Sequence, residues 1–225
     1  MNPSMTPHWL DPAAKPKLRG VSHQWAFVVS LLTGAVLVLL APNGEALLAA
    51  AIYALSVAAL FGTSALYHRI NWRSLSARRW MRRLDHSMIF VLIAGTYTPF
   101  ALLALDGTLA TAILITVWSG AIAGVVLQLV WVDAPRGLSA VVYIAMGWVA
   151  LAAFPQMIDK VGITGTALVA AGGLLYSVGA GIYAFKRPNP APTVFGYHEI
   201  FHALVILAAA LHYAVVALIV VPGAA

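Results

Sequence analysis

The sequence predicts an all-α fold, a polytopic membrane protein built as a seven-transmembrane-helix bundle. Three observations predict it: 62% of the residues are hydrophobic, only 9% are charged, and seven apolar runs are long enough to cross a bilayer. Water-soluble proteins carry roughly 25% charged residues, and a spanning helix needs about 20 predominantly apolar ones. Because no soluble domain of any size fits around the spans, we expect residues 1–225 to form a single transmembrane domain.

The apolar runs follow one another with short connections that carry turn signals. Pro42-Asn43-Gly44 follows the first run, Asp106-Gly107 the third, and 133–137, which contains Pro135 and Gly137, the fourth. A tail, 1–23, precedes the spans, and a basic loop, 68–84, lies between the second and the third. The expected spans are 24–42, 45–67, 85–105, 109–131, 138–157, 164–185 and 197–221.

Basic residues predict the orientation of these spans. Every Lys and Arg except Lys160 falls in the 1–23 tail, in the 68–84 loop, or in the loops after the fourth and sixth spans. Since cytoplasmic loops are enriched in Lys and Arg, we expect a cytoplasmic N-terminus and an extracytoplasmic C-terminus in the cell (inner) membrane. The same rule accounts for the net charge of +6 without a nucleic-acid partner. Trp72 and Trp80 in the loop are typical of an interfacial helix, and a lipid headgroup site there is the alternative.

Three histidines, His68, His198 and His202, each lie at the expected cytoplasmic end of a span. In the segment 198–202 both imidazoles project from one helical face, one turn apart, and Ser64 shares a face with His68 in the same way. Ionisable groups at membrane depth are expensive and mark functional sites. The chain has no cysteine, so thiolate ligands are excluded. Three imidazoles at one depth therefore predict a Zn²⁺ site, with a fourth position for water.

Two further polar residues belong to the same layer. Asp85 opens the third span at the cytoplasmic side, where we expect it to hold the water or to orient a ligand. Ser64, one turn deeper than His68, would contact the same water or a substrate carbonyl.

The remaining histidines are expected to play other roles. His86 points about 100° away from Asp85 on a helix and should pair locally. His212 lies ten residues beyond His202, roughly 15 Å deeper, so we expect a buried, hydrogen-bonded side chain. His8 and His23 lie in or near the tail and carry no functional signal.

Three separated signatures carry a family resemblance. They are the segment 64–68, which ends in His68, the segment 84–100, which contains Asp85, and the segment 198–213, which begins with His198. Together they resemble the hemolysin III branch of the progestin and adipoQ receptor (PAQR) family. The resemblance implies a zinc site near the cytoplasmic face, with His68, His198 and His202 as ligands, Asp85 holding the water and Ser64 beside it.

Glu199 lies inside the His-x-x-x-His segment, where soluble metalloproteases have a general base. In adipoQ receptors a glutamine can occupy the matching position, so the resemblance implies that the zinc site needs no carboxylate there. We therefore expect Glu199 to be an interfacial or supporting group rather than the general base.

Several functions are open from the sequence. The leading hypothesis is metal-dependent hydrolysis of a lipid amide or ester, with Asp85 as general base and Ser64 steadying the oxyanion; the family resemblance implies a ceramidase-like activity. The second is a non-enzymatic, zinc-stabilised receptor or regulator of membrane state. The third, a hemolysin-type pore former, is disfavoured because few polar residues lie along the spans. Cleavage of membrane proteins is the weakest hypothesis.

The expected partner is a membrane lipid, with a sphingolipid-like or fatty-acyl ligand in the bundle cavity. We expect a monomer or a homodimer. Gly120 and Gly124 form a small-x-x-x-small pattern, which favours close helix packing within the bundle over dimerisation.

Overall fold

The computed structural model describes residues 15–224. Within that range the protein is helical and contains no β-strand. This confirms the polytopic helical fold. A 3₁₀ segment, Trp148–Ala153, joins α5 to α6, and a π-helical segment, Val216–Val220, extends α7. The helices are α1 (Val21–Leu40), α2 (Glu45–Arg69), α3 (Leu75–Leu103), α4 (Gly107–Val130), α5 (Arg136–Gly147), α6 (Phe154–Phe185) and α7 (Tyr197–Val215).

Six helical segments in the described range are long and apolar enough to cross a membrane. Five of them correspond to α1, α2, α3, α4 and the extended α7, and the sixth is the 50-residue stretch Arg136–Phe185. Inside this stretch the backbone leaves helical geometry at Gly162, where φ is 81° and ψ is 166°. The guanidinium carbon of Arg136 lies 5.5 Å from the centre of the Tyr183 ring. The stretch therefore bends back on itself, because residues near its two ends lie together.

Contacts define two ends of the bundle. At one end α2 finishes and α3 and α7 begin, and Arg82 pairs with Asp133 while Arg136 approaches the Tyr197 hydroxyl. We call this the basic end. At the opposite end Lys160 pairs with Asp106, 2.6 Å apart.

Two expected boundaries differ from the structure. The basic loop 68–84 is largely helical, because α3 begins at Leu75 and the Ser74 hydroxyl accepts a hydrogen bond from the Ala77 N–H as its N-cap. In the 1–23 tail, residues 1–14 and therefore His8 lie outside the described residues, whereas α1 already includes His23.

The helices pack largely in sequence order, and contacts between α1 and α7 join the first helix to the last. Tyr53, Phe90 and Val215 are almost fully buried in the core, whereas Leu39 and Leu218 on the outer faces are 82% and 75% exposed. A bundle that is apolar inside and outside suits a hydrocarbon environment.

Both glycines of the small-residue pattern on α4 pack inside the bundle. A Cβ at Gly124 would strike the Phe90 ring, and one at Gly120 would meet Met146. These contacts with α3 and α5 account for the pattern without a second chain.

Candidate metal centre

The three histidines singled out in the sequence meet at the basic end. His68 lies in the last turn of α2, and His198 and His202 lie in the first turns of α7. One ring nitrogen from each lies within 4.8 Å of the others, and the Nε2 atoms of His68 and His198 are 3.1 Å apart. His68 and His202 are buried, with 5% and 2% exposed. The fold thus brings together residues that are 130 positions apart in the chain.

The cluster fits a metal ion held by nitrogen ligands. Tetrahedral zinc with bonds of 2.0–2.1 Å separates its nitrogen ligands by about 3.3 Å, close to the 3.1 Å between His68 and His198. The buried Nδ1 of His202 has no hydrogen-bond partner within residues 15–224. An all-imidazole set suits zinc and the other divalent metals that prefer nitrogen. The geometry therefore supports a metal site without selecting zinc.

Asp85 and Ser64 lie beside these imidazoles, as the sequence predicts. The Asp85 Oδ2 is 3.8 Å from the His68 Nε2. Ser64, which is 2% exposed, lines the same cavity as Asp85. A carboxyl and a hydroxyl therefore adjoin the nitrogen cluster from α3 and α2.

Glu199 has a structural role. Its Oε1 forms an ion pair with the Arg19 guanidinium, and its Oε2 accepts a hydrogen bond from the Gly196 N–H, 2.8 Å away. The second contact caps the N-terminus of α7, where a negative charge is favourable. Because both oxygens are engaged by the protein, the geometry agrees with the expected supporting role.

The expectations for His86 and His212 are confirmed. The Nδ1 of His86 donates to the Arg82 carbonyl oxygen at 2.8 Å, and its Nε2 accepts from the Tyr183 hydroxyl at 3.2 Å. His212 is buried, and its Nε2 donates to the Val169 carbonyl oxygen at 3.0 Å.

The expectation for His23 is wrong. This residue, 2% exposed, lies in the first turn of α1, and its Nδ1 is hydrogen-bonded to the Ser64 Oγ at 2.8 Å. Its ring stacks on His202, with centroids 3.7 Å apart and planes within 7°. The one signal in the sequence is that His23 precedes the first apolar run at the same end as the other histidines. The packing of α1 against α7 is what places it in the site.

The segment before α1 is fixed over the histidine cluster. The Lys17 and Leu18 N–H groups donate to the carbonyl oxygens of Thr193 and Val194, at 3.0 and 3.1 Å. Gly20, with φ of 78°, packs so closely on the His68 side chain that a Cβ would clash with it. This contact explains the need for glycine at the N-cap of α1.

Several cationic side chains lie close to Lys15, at the start of this segment. Burial and the neighbouring charges of Arg78, Arg19 and Arg69 lower the pKa of the Lys15 ammonium. The surface around Lys15 is therefore electropositive.

A cavity of about 140 Å³ connects the site to the interior of the bundle. Its lining is mainly apolar and runs from the histidines at the basic end, past Tyr176 and His212, to Leu105 and Met157 near the other end. The residues at the basic end of the lining include His23, Ser64, Asp85, His198 and His202. The site therefore lies at the head of a long apolar space.

Comparisons with known proteins identify the family. The model of the haemolysin-III related family matches residues 13–213, which include every residue of the site. The chain belongs to the haemolysin III family. This confirms the resemblance to the hemolysin III branch of the PAQR family.

Individual relatives of this haemolysin III protein cover most of its length. It is 34% identical to the hemolysin-3 homolog of Bacillus subtilis (strain 168) over 189 residues, 83% of this chain and 85% of the relative. It is 34% identical to hemolysin-3 of Bacillus cereus over 182 residues, 81% and 80% of the two chains. It is also 26% identical to the human monocyte to macrophage differentiation factor over 195 residues, 85% and 79% of the two chains.

Proposed function

We propose that this protein is a zinc-dependent hydrolase of a lipid amide or ester, with a ceramidase-like substrate class. The observation that carries the proposal is the position of three imidazoles at the head of an apolar cavity, next to Asp85 and Ser64. Zinc held by these imidazoles would supply Lewis acidity and a nucleophile at neutral pH.

Residues of the protein supply proton transfer, stabilisation of the oxyanion and binding of the acyl chain. Asp85, 3.8 Å from the His68 Nε2, accepts a proton from the attacking water and returns it to the leaving amine or alcohol. Ser64, held by its contact with His23, would donate to the substrate carbonyl oxygen and stabilise the negative charge that develops on it. The apolar lining takes up the acyl chain and keeps water away from it.

The proposal includes seven membrane crossings, a cytoplasmic N-terminus and location in the cell (inner) membrane. The bend at Gly162 supports it, since 50 residues of helix extend about 75 Å, more than twice the ~30 Å of a hydrocarbon core. The basic residues at the histidine end support a cytoplasmic position for that end.

Metal content and turnover test the enzyme proposal together. Protein purified in detergent without chelator should contain about one zinc ion per chain, measured by elemental mass spectrometry. It should release fatty acid from ceramide or from an ester in a lipid panel, followed by mass spectrometry. His202→Ala should lose both zinc and turnover. His8→Ala should keep both, because residue 8 lies before the region that matches the family. Equal turnover by the wild type and His202→Ala would refute the enzyme proposal.

A structural zinc site in a receptor or regulator of membrane state is the second candidate. It is favoured by the 3.8 Å between Asp85 and His68, because a small shift would make the carboxylate a fourth ligand and close the site. A crystallographic map at the zinc absorption edge distinguishes the two. Asp85 bound directly to the ion, together with intact lipid in the cavity, would favour this candidate.

A further inference from the structure

Deep in the cavity, two polar side chains face the same apolar space from neighbouring helices. Tyr176 on α6 and His212 on α7 both line the cavity, with ring centroids 5.6 Å apart. His212 lies ten residues beyond His202 on α7, roughly 15 Å farther along the helix axis. The pair therefore lies far from the metal centre.

The His212 ring is fixed and has one free acceptor. Its Nε2 donates to the Val169 carbonyl oxygen at 3.0 Å, so its Nδ1 carries a lone pair. Gly172 allows this arrangement, because a Cβ there would strike the imidazole. In the described part of the chain, neither the His212 Nδ1 nor the Tyr176 hydroxyl has a hydrogen-bond partner, although both atoms are buried. Buried polar atoms without partners are costly and call for an explanation.

We propose that His212 and Tyr176 form a polar subsite that binds a hydroxyl group carried far along the chain of the bound lipid. A hydroxyl can donate to the His212 Nδ1 and accept from the Tyr176 hydroxyl at the same time. A carbonyl only accepts, and a saturated chain does neither, so both leave the imidazole nitrogen unsatisfied. The inference rests on the proposed function in one respect, that the lipid head lies at the histidine cluster and its chain in the cavity.

Fatty acids that differ only in the position of a hydroxyl test this subsite. The affinities of the purified full chain for 12-hydroxystearate, 2-hydroxystearate and stearate are measured by displacement of a fluorescent fatty acid in detergent. The hydroxyl of the first probe lies well along the chain, at a depth comparable with the roughly 15 Å from His202 to His212. We expect 12-hydroxystearate to bind about tenfold more tightly than the other two, a ratio that one well-made hydrogen bond supports.

Two conservative variants assign the preference to the subsite. Tyr176→Phe removes only the hydroxyl and should bring 12-hydroxystearate and stearate to nearly equal affinity. The control is Tyr143→Phe, which lines the same cavity but whose hydroxyl already donates to the His86 carbonyl oxygen at 3.4 Å. This variant should keep the preference.

The outcomes separate this inference from the hydrolase proposal. Equal affinities in the wild type, a preference unchanged in Tyr176→Phe, or no binding of any of the three probes would overturn the subsite. The assay needs no turnover, and it is repeated with His202→Ala. A preference that persists in His202→Ala, while the wild type itself releases no fatty acid, would remove the hydrolase proposal and leave the subsite standing.

Discussion

The imidazole rings of His23 and His202 stack face to face, 3.7 Å apart and within 7° of parallel. His23 also holds Ser64 through a 2.8 Å hydrogen bond, so one residue of α1 contacts both a metal-ligand candidate on α7 and a polar group on α2. The first helix of the bundle thereby completes a site whose other residues come from α2, α3 and α7.

Replacement of His23 tests this relationship. His23→Ala removes the stacking and the Ser64 hydrogen bond, so we expect zinc affinity to fall about 10–100-fold, as it does when a group that orients a metal ligand is lost. His23→Phe keeps an aromatic ring against His202 and should lose less. The measurement is a chelator competition, with His8→Ala as the control. Affinity that is the same in all four proteins would show that His23 does not orient the site.

The role of Asp85 is tested by Asp85→Asn, which keeps the shape of the side chain but cannot accept a proton. We expect the zinc content to stay at the wild-type level while kcat falls about 10²–10⁴-fold, the usual contribution of a general base. Elemental analysis and lipid turnover are measured on the same preparation. Loss of the metal itself would instead identify the carboxylate as a ligand.

The pair between Arg19 and Glu199 should stabilise the fold rather than act in catalysis. Arg19→Ala leaves a carboxylate that is 3% exposed without its partner, and we expect a loss of about 3 kcal/mol of stability. Thermal unfolding in detergent measures it. Lys160→Ala breaks an exposed pair with Asp106 and should have little effect.

Glu199→Gln complements that experiment. The amide oxygen can still accept from the Gly196 N–H, so the variant should fold and keep most of its turnover. Abolished turnover with unchanged zinc content and stability would instead assign the general-base role to Glu199.

Gly20 and Gly44 share a positive φ but differ in ψ, which is −1° and −131°, and they separate backbone strain from contact with the site. Gly20 and Gly44 have φ values of 78° and 80°, but a Cβ at Gly20 would clash with His68, whereas one at Gly44 meets nothing within 4 Å. Both alanine variants should lose roughly 1–3 kcal/mol of stability through backbone strain. Only Gly20→Ala should also weaken zinc binding. Equal zinc affinity in the two variants would show that the Gly20 contact does not position His68.

Local patterns in the sequence predicted most of the fold and the histidine cluster. Apolar runs of membrane length identify spans, because each crossing must satisfy its own backbone hydrogen bonds. The four-residue spacings of Ser64 with His68 and of His198 with His202 place each pair on one face, because helical periodicity is a local property. The distribution of the basic residues along the chain then predicts that His68, Asp85 and His198 lie at the same end of the bundle.

Other features depended on contacts between distant segments. The sequence places His23 near the tail, but the packing of α1 beside α7 stacks its ring on His202. Arg19 and Glu199, which form an ion pair, are 180 positions apart in the chain. Tyr176 and His212 share a cavity only because α6 and α7 lie together. The sequence by itself determined the apolar helical segments and the residues that share one helical face, since these follow from spacing along a single helix. The common depth of the three imidazoles followed from the distribution of the basic residues. Only the tertiary structure decided which groups surround those imidazoles and what faces the cavity, because those contacts depend on how separate helices pack.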